Sequence, residues 1–271
     1  MTRAEDEARV QKIFDTVAEG YDHPATFWFD QTARVIAAEA QLSPHMEGLD
    51  VATGTGKVAL ALAASEPGAR ILGIDLSAGM LDQARKKAHF LGLENASFEQ
   101  GSFDELNHEG RFDVVTCSFG IFFVEHMVET LARLGAQAKA GGRIILSTFV
   151  EGSFSPFDDA FLRLYKEFGF EVPPSRWLPI ASSERFAQLF AQAKLPVPTI
   201  VEHDFGFDLL DQEVWWDIVY NAGYRGFLQR MNEADVPVFK DRHLLEVGDL
   251  IRVQGIKRLP IKVLVATSTL G

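Results

Sequence analysis

Ten residues, Gly48-Leu-Asp-Val-Ala-Thr-Gly-Thr-Gly-Lys57, constrain the fold of this chain more than any other stretch. They join an apolar run that reads as a strand to an Ala/Leu run that reads as a helix. Gly54 and Gly56 carry no Cβ, so the backbone can turn sharply and a ligand can approach it closely. A helix beginning near Lys57 points unpaired N–H groups at that ligand. Asp50 lies four residues before Gly54, at the carboxyl end of the strand. Asp75 follows Gly56 by nineteen residues and ends a second strand-like run, Arg70-Ile-Leu-Gly-Ile-Asp75. A carboxylate at that second position can hold two ribose hydroxyls. These are the parts of a nucleoside-cofactor site on a doubly wound, Rossmann-like α/β sheet.

The glycines alone also fit a dinucleotide fingerprint, Gly54-x-Gly56-x-x-Ala59. A nicotinamide-dependent oxidoreductase is therefore one alternative. Asp50 discriminates against it, because a carboxylate so close repels a pyrophosphate and attracts a cationic amino-acid tail. S-adenosylmethionine has such a tail, with an ammonium and a sulfonium. The stretch resembles motif I of class I S-adenosylmethionine-dependent methyltransferases, an acid followed by Gly-x-Gly. The resemblance implies S-adenosylmethionine as cofactor and S-adenosylhomocysteine as product. It places Asp50, Ala52, Thr53, Gly54, Thr55, Gly56 and Asp75 around the cofactor. It also implies a seven-stranded sheet whose last strand runs antiparallel between strands five and six. A non-catalytic binding module on the same fold is the other alternative.

The 271 residues suffice for one substantial core with a subdomain. A net charge of −12 argues against a phosphate-backbone binder, so no nucleic-acid partner is expected. No apolar run approaches the ~18 residues of a membrane helix, and the acidic N-terminus is not a secretory signal; a cytoplasmic protein is expected. The single cysteine, Cys117, lies in an apolar strand and reads as a buried residue. The histidines show no metal spacing, and no metal is expected. The choice between monomer and homodimer stays open.

Along the chain, helices are expected at 5–19, 28–41, 57–65, 78–92 and 127–138. Strands are expected at 48–52, 70–74, 96–99, 112–118 and 143–150, with Gly141-Gly142 stopping the last of those helices. Phe14-Asp-Thr-Val-Ala-Glu-Gly-Tyr-Asp22 resembles the N-terminal segment of the ubiquinone/menaquinone-biosynthesis methyltransferase family. There the helix and the Tyr-Asp pair close over the cofactor, which places Tyr21 near its methionine end. By the same resemblance Leu76 and Met80 flank the adenine, and Gly101, Ser102 and Phe103 meet its edge. The family commonly has Asp-Ala or Asn-Ala where this chain has Ser102-Phe103, so Asp104 is a substitute acceptor. Ser118-Phe119-Gly120 again matches and faces the cofactor. The family then continues Leu-Arg-Asn-Val, whereas this chain has Ile121-Phe-Phe-Val124. Phe122 and Phe123 thus point to a small apolar or aromatic acceptor other than a quinone precursor.

Beyond residue 150 the βα alternation breaks. Of the chain's 30 aromatic residues, 17 fall within 151–240. The expected organisation is a cofactor-binding core at 1–150, a helical cap insert at 151–198, strand six at 199–208, a second cap insert at 209–258 and strand seven at 259–271. A connection this long folds as a cap in a compact domain. Phe154, Phe157, Phe161, Tyr165 and Trp177 are candidate pocket walls, though small helical inserts also need such side chains for their own core. Tyr220, Tyr224 and Arg225 are the candidate acceptor contacts of the second insert. Methyl transfer from a sulfonium is an in-line displacement that needs alignment and exclusion of water. Where the acceptor must lose a proton, His126 is the best-placed base, followed by His203 and His243.

Overall fold

A computed structural model describes residues 3–271. The chain begins with α1 (Arg3–Val17) and two short 3-10 turns, Ala18–Gly20 and Pro24–Thr26. The core alternates from there: α2 (Trp28–Ala40), β1 (Glu47–Val51), α3 (Lys57–Ser65), β2 (Arg70–Asp75), α4 (Ala78–Leu91), β3 (Ala96–Gln100), β4 (Phe112–Ser118), α5 (Met127–Gln137) and β5 (Ala138–Phe149). Then follow α6 (Phe157–Glu167), α7 (Ser183–Gln192), β6 (Thr199–Asp204), β7 (Phe207–Asp208), α8 (Gln212–Asn221), α9 (Arg225–Leu228), α10 (Asp235–Arg252), β8 (Arg258–Leu259) and β9 (Lys262–Thr269). Among the described residues, no helix is long and apolar enough to cross a membrane.

Seven strands form one sheet in the order β3-β2-β1-β4-β5-β9-β6. β9 runs antiparallel to both β5 and β6, as the motif I resemblance implied, and the other core strands pair in parallel. Local chemistry explains the elements. In β4, Val114, Val115, Thr116 and Cys117 are all buried, as a central parallel strand covered on both faces requires. In α4, Leu81, Ala84 and Ala88 recur at helical spacing and are buried. The Ser77 hydroxyl caps that helix by accepting from the Met80 N–H, and Gly92 ends it at a φ of 67°.

The sheet is covered on both faces. One face packs on α5 and α7, where Leu131, Leu134, Phe186 and Phe190 are buried against β1, β4 and β5. Burying each such side chain contributes about 1.5–3 kcal/mol. The other face packs on α2, α3 and α4 through residues such as Ile36, Leu62 and Leu81. A third cluster lies over one end of the sheet. It joins Trp28 of α2 to α6, α8 and α10 through Phe161, Trp215, Phe239 and Val247. We call that helical cluster the cap. Within the stretch 151–198, α6 joins it, whereas α7 lies on the main sheet.

Two of the boundaries that differ from expectation change how the sheet is built. The helix expected to run to residue 138 and stop at Gly141-Gly142 ends at Gln137, and β5 starts at once. The two glycines form an irregularity in β5, between the pairs Phe112–Ala138 and Val114–Arg143. Gly141 has a φ of 76°, and a Cβ on Gly142 would stand 2.9 Å from the Lys139 carbonyl. A bulge and a helix C-cap both call for glycine, which is why the sequence reads either way. Strand six ends at Asp204 rather than continuing through Phe207. Phe207–Asp208 pairs instead with Arg258–Leu259 in a separate two-stranded ribbon at the entry and exit of the second insert.

Candidate functional site

A pocket lies at the carboxyl ends of β1, β2 and β4, roofed by α1. Its floor is the turn after β1. Thr53 N–H donates to the Ile74 carbonyl and Gly56 N–H to the Thr53 carbonyl. Gly54 and Gly56 have φ values of 56° and 82°, in the left-handed region that favours glycine. A Cβ on Gly54 would meet nothing within 4 Å, whereas one on Gly56 would stand 2.9 Å from the Ala84 Cβ. Gly54 is thus open toward the pocket, and Gly56 lets α3 approach α4.

The two carboxylates of the sequence motif do different work. Asp50 is 1% exposed. Its oxygens accept from the hydroxyls of Thr53 at 2.6 Å and Thr116 at 2.7 Å. Burial pushes its pKa up to about 6, against the pull of those hydroxyls and the Ala59 N–H, and the nearby Asp75 adds to the rise. Asp50 borders the pocket, but its hydrogen bonds stitch β1 to β4 and hold the turn. Asp75 ends β2. Its Oδ2 accepts from the Gly54 N–H at 2.7 Å and its Oδ1 from the Ser77 N–H at 2.9 Å. Burial raises its pKa, and those two donors oppose the rise.

Apolar residues shape the rest of the pocket. Leu76, Met80 and Phe103 lie beside Asp75. Phe119 follows β4 with a φ of 53°, and Ala52 follows β1 with a φ of 56°. Non-glycine residues there store strain of about 1 kcal/mol each, and both face the pocket. The Phe119 ring packs on Phe149 and Phe29, with centroids 4.6 and 5.0 Å apart. From the N-terminal segment, Phe14 meets Phe123 at 5.3 Å, and Tyr21 stacks on Phe29 at 6.3 Å. Burial, then the charges of Asp75 and Asp22, raise the pKa of the Tyr21 hydroxyl, which stays protonated.

The segment carrying these rings is tied down by two acids. Asp15 Oδ1 accepts from the Ser77 hydroxyl at 2.5 Å and the Gly79 N–H at 3.1 Å. Asp22 accepts from the Thr55 hydroxyl at 2.8 Å and from Lys87 at 2.7 Å. Lys57 bridges Asp22 and Asp30 at 3.2 and 2.7 Å.

Of the residues expected at a cofactor, the pocket brings together Tyr21, Asp50, Ala52, Thr53, Gly54, Thr55, Asp75, Leu76, Met80, Gly101, Phe103, Ser118 and Phe119, and of the acceptor candidates Phe123. Others lie elsewhere. Ser102 is not among the lining residues: its hydroxyl accepts from the Asp104 N–H, and its N–H donates to Glu105 at 2.8 Å, a capping box on the turn Phe103–Glu105. Asp104 does not replace it, being held by Arg133 at 2.6 Å. Gly56 sits behind the turn against α4. Phe122 is 6% exposed and packs into the main core. His126 is exposed at the start of α5, outside the pocket. His203 stacks on Phe205 on the edge strand β6, and His243 accepts from Trp215 Nε1 at 2.7 Å inside the cap. Tyr220 is 48% exposed and lies under the Arg225 guanidinium, so neither reaches the pocket. Tyr224 packs on Phe161 and Trp215 in the cap core. Phe157, Phe161, Tyr165, Trp215 and Phe239 pack inside the cap, while Phe186 and Phe190 pack on the main sheet.

The pocket also contains residues that were not anticipated. Val10 and Gln11 come from α1, Phe29 from the start of α2, and Lys57 from the start of α3. The aromatic run Phe27-Trp-Phe29 after Pro24 is a sequence signal that could have found Phe29.

Comparison with known proteins agrees with this geometry. The family model for a methyltransferase domain matches residues 42–194, more than half of the chain. A demethylmenaquinone methyltransferase of Deinococcus radiodurans is 35% identical over 161 residues, covering 58% of this chain and 66% of that protein. An aklanonic acid methyltransferase of a Streptomyces species is 29% identical, covering 71% of this chain and 89% of that protein. Among solved structures, a SAM-dependent methyltransferase from Aquifex aeolicus superposes with a TM-score of 0.53 at 17% identity, over 72% of this chain and 91% of that one, which supports the fold. The chain belongs to the methyltransferase-domain family, as the resemblance of its glycine turn to motif I implied.

Proposed function

We propose that the pocket beneath α1 binds S-adenosylmethionine and that the chain transfers the methyl group to a small apolar or aromatic acceptor. When bound, the cofactor supplies an electrophilic methyl carbon on a positively charged sulfur. The donor set suits it. Asp75, already oriented by two backbone N–H groups, keeps lone pairs for two ribose hydroxyls. Leu76, Met80 and Phe103 form an apolar slot for adenine. Gly54, with open space where a Cβ would be, lets the amino-acid tail approach the turn and the N-terminus of α3. Asp50 holds the turn in shape. Tyr21, Phe29, Phe119 and Phe123 wall the side left for the acceptor. Their rings exclude water and fix the approach of the nucleophile, which is the main task in an in-line displacement.

The observation that carries this reading is the bond from Gly54 to Asp75, which locks the glycine turn to the ribose acid. Its test is label transfer. Methyl-labelled S-adenosylmethionine is incubated with the protein and a panel of apolar aromatic acceptors. The expected result is label in an organic-extractable product with matching release of S-adenosylhomocysteine. Binding of the cofactor without transfer to any acceptor would favour the non-catalytic binding module.

A further inference from the structure

Among the described residues, four titratable side chains border the pocket: Tyr21, Asp50, Lys57 and Asp75. None can take a proton from an acceptor. Asp50 is 1% exposed and buried beneath the turn, out of reach of an acceptor. Asp75 accepts from two backbone N–H groups and is committed to the ribose. Lys57 is a cation clamped between Asp22 and Asp30. Tyr21 is a protonated phenol beside two carboxylates. His126, His203 and His243 all lie outside the pocket. The wall around the acceptor side is otherwise aromatic, with Gln11 and the Ser118–Ser147 hydroxyl pair as neutral polar groups.

The charge balance then selects the acceptor. A neutral O–H nucleophile becomes a strongly acidic oxonium as it bonds to the methyl carbon, and its proton needs a base. An anionic nucleophile needs none. Its electron pair forms the new bond, the sulfur keeps the pair of the bond that breaks, anion and sulfonium neutralise each other, and no proton moves. Resting on the methyltransferase reading above, we infer that this enzyme takes acceptors whose nucleophile is already ionised, a carboxylate, a thiolate or an acidic phenolate or enolate on an apolar aromatic frame. It does not take alcohols.

The test uses the full chain and four acceptors of one size: 2-naphthoic acid, 2-naphthalenethiol, 2-naphthol and 2-naphthalenemethanol. Calorimetric titration with S-adenosylhomocysteine comes first, and absence of binding would remove the methyltransferase reading itself. With binding established, methylated products are measured by mass spectrometry from pH 5 to 10. The expected products come from the acid and the thiol at pH 7. The naphthol rate rises about tenfold per pH unit toward the acceptor's own pKa, identically in a His126→Ala variant. Methylation of 2-naphthalenemethanol would overturn the inference. So would a naphthol profile that inflects near pH 6–7 and loses that inflection in His126→Ala.

Discussion

Asp75 Oδ2 accepts the Gly54 N–H at 2.7 Å, so the acid that ends β2 also fixes the turn that follows β1. The contact joins two elements of the pocket that lie twenty-one residues apart. It means that the turn cannot shift without moving that acid.

Two glycine variants separate the roles of the turn. Gly54→Ala places a methyl group in open pocket space. It is expected to cost about 1–2 kcal/mol from the left-handed backbone and to abolish cofactor binding. Gly56→Ala meets Ala84 and Phe98 as well. Its expected cost is about 3 kcal/mol or more, because strain and overpacking combine. Urea unfolding checks stability, and titration with S-adenosylhomocysteine checks binding.

Asp22→Asn tests the strap over the pocket. The carboxylate joins Thr55 of the glycine turn to Lys87 and Lys57. The pairs are partly exposed, so the expected loss of global stability is small. The expected change is local: faster proteolysis within residues 3–23 and cofactor binding weaker by about tenfold, since charge-assisted contacts at the turn are lost. Equal cleavage rates in the variant and the parent protein would show that the acid does not hold the strap.

Asp50 gives stability a pH dependence. Its folded pKa of about 6 lies above the ordinary value of 3.8, so the folded state binds the proton more tightly than the unfolded chain. Its contribution is therefore fully present below pH 4 and is lost as pH rises through 6, a change of about 3 kcal/mol. Asp50→Asn carries no such proton. The difference in unfolding free energy between parent and variant, measured at pH 4.5 and 7.5, is expected to shift toward the variant at the higher pH. A pH-independent difference would mean that the carboxyl titrates normally.

The cap makes a prediction of the opposite kind. Tyr220 and Arg225 face each other at the surface rather than the pocket. Alanine at either position is expected to leave S-adenosylhomocysteine affinity and acceptor KM unchanged within about twofold, which is the ±0.5 kcal/mol usual for surface changes. A tenfold rise in acceptor KM would bring the second insert back into the site.

The core was legible because its signals are local. A glycine turn, a strand-end acid and alternating apolar runs each specify a short geometry. Together they implied the parallel part of the sheet, while antiparallel β9 was implied by the resemblance to motif I. The site was legible where a residue lies at the end of a strand, as with Asp75 and Phe119. It failed where one side chain had two possible partners. Ser102-Phe-Asp-Glu105 is a capping box in plain sequence, yet resemblance directed Ser102 to the adenine. Tyr224 and Phe122 show that composition cannot say which way an aromatic ring points. Gln11 and Lys57 were missed because, although both helices were expected at the ligand, nothing local says which side chains of α1 and α3 turn toward it.

The most direct test of the central claim is calorimetric titration of S-adenosylhomocysteine into the parent protein and an Asp75→Ala variant. Binding to the parent and a loss of about 100-fold in the variant are expected, from the removal of charged hydrogen bonds worth about 3 kcal/mol. Absence of binding to the folded parent, or equal affinity in the two proteins, would contradict that claim.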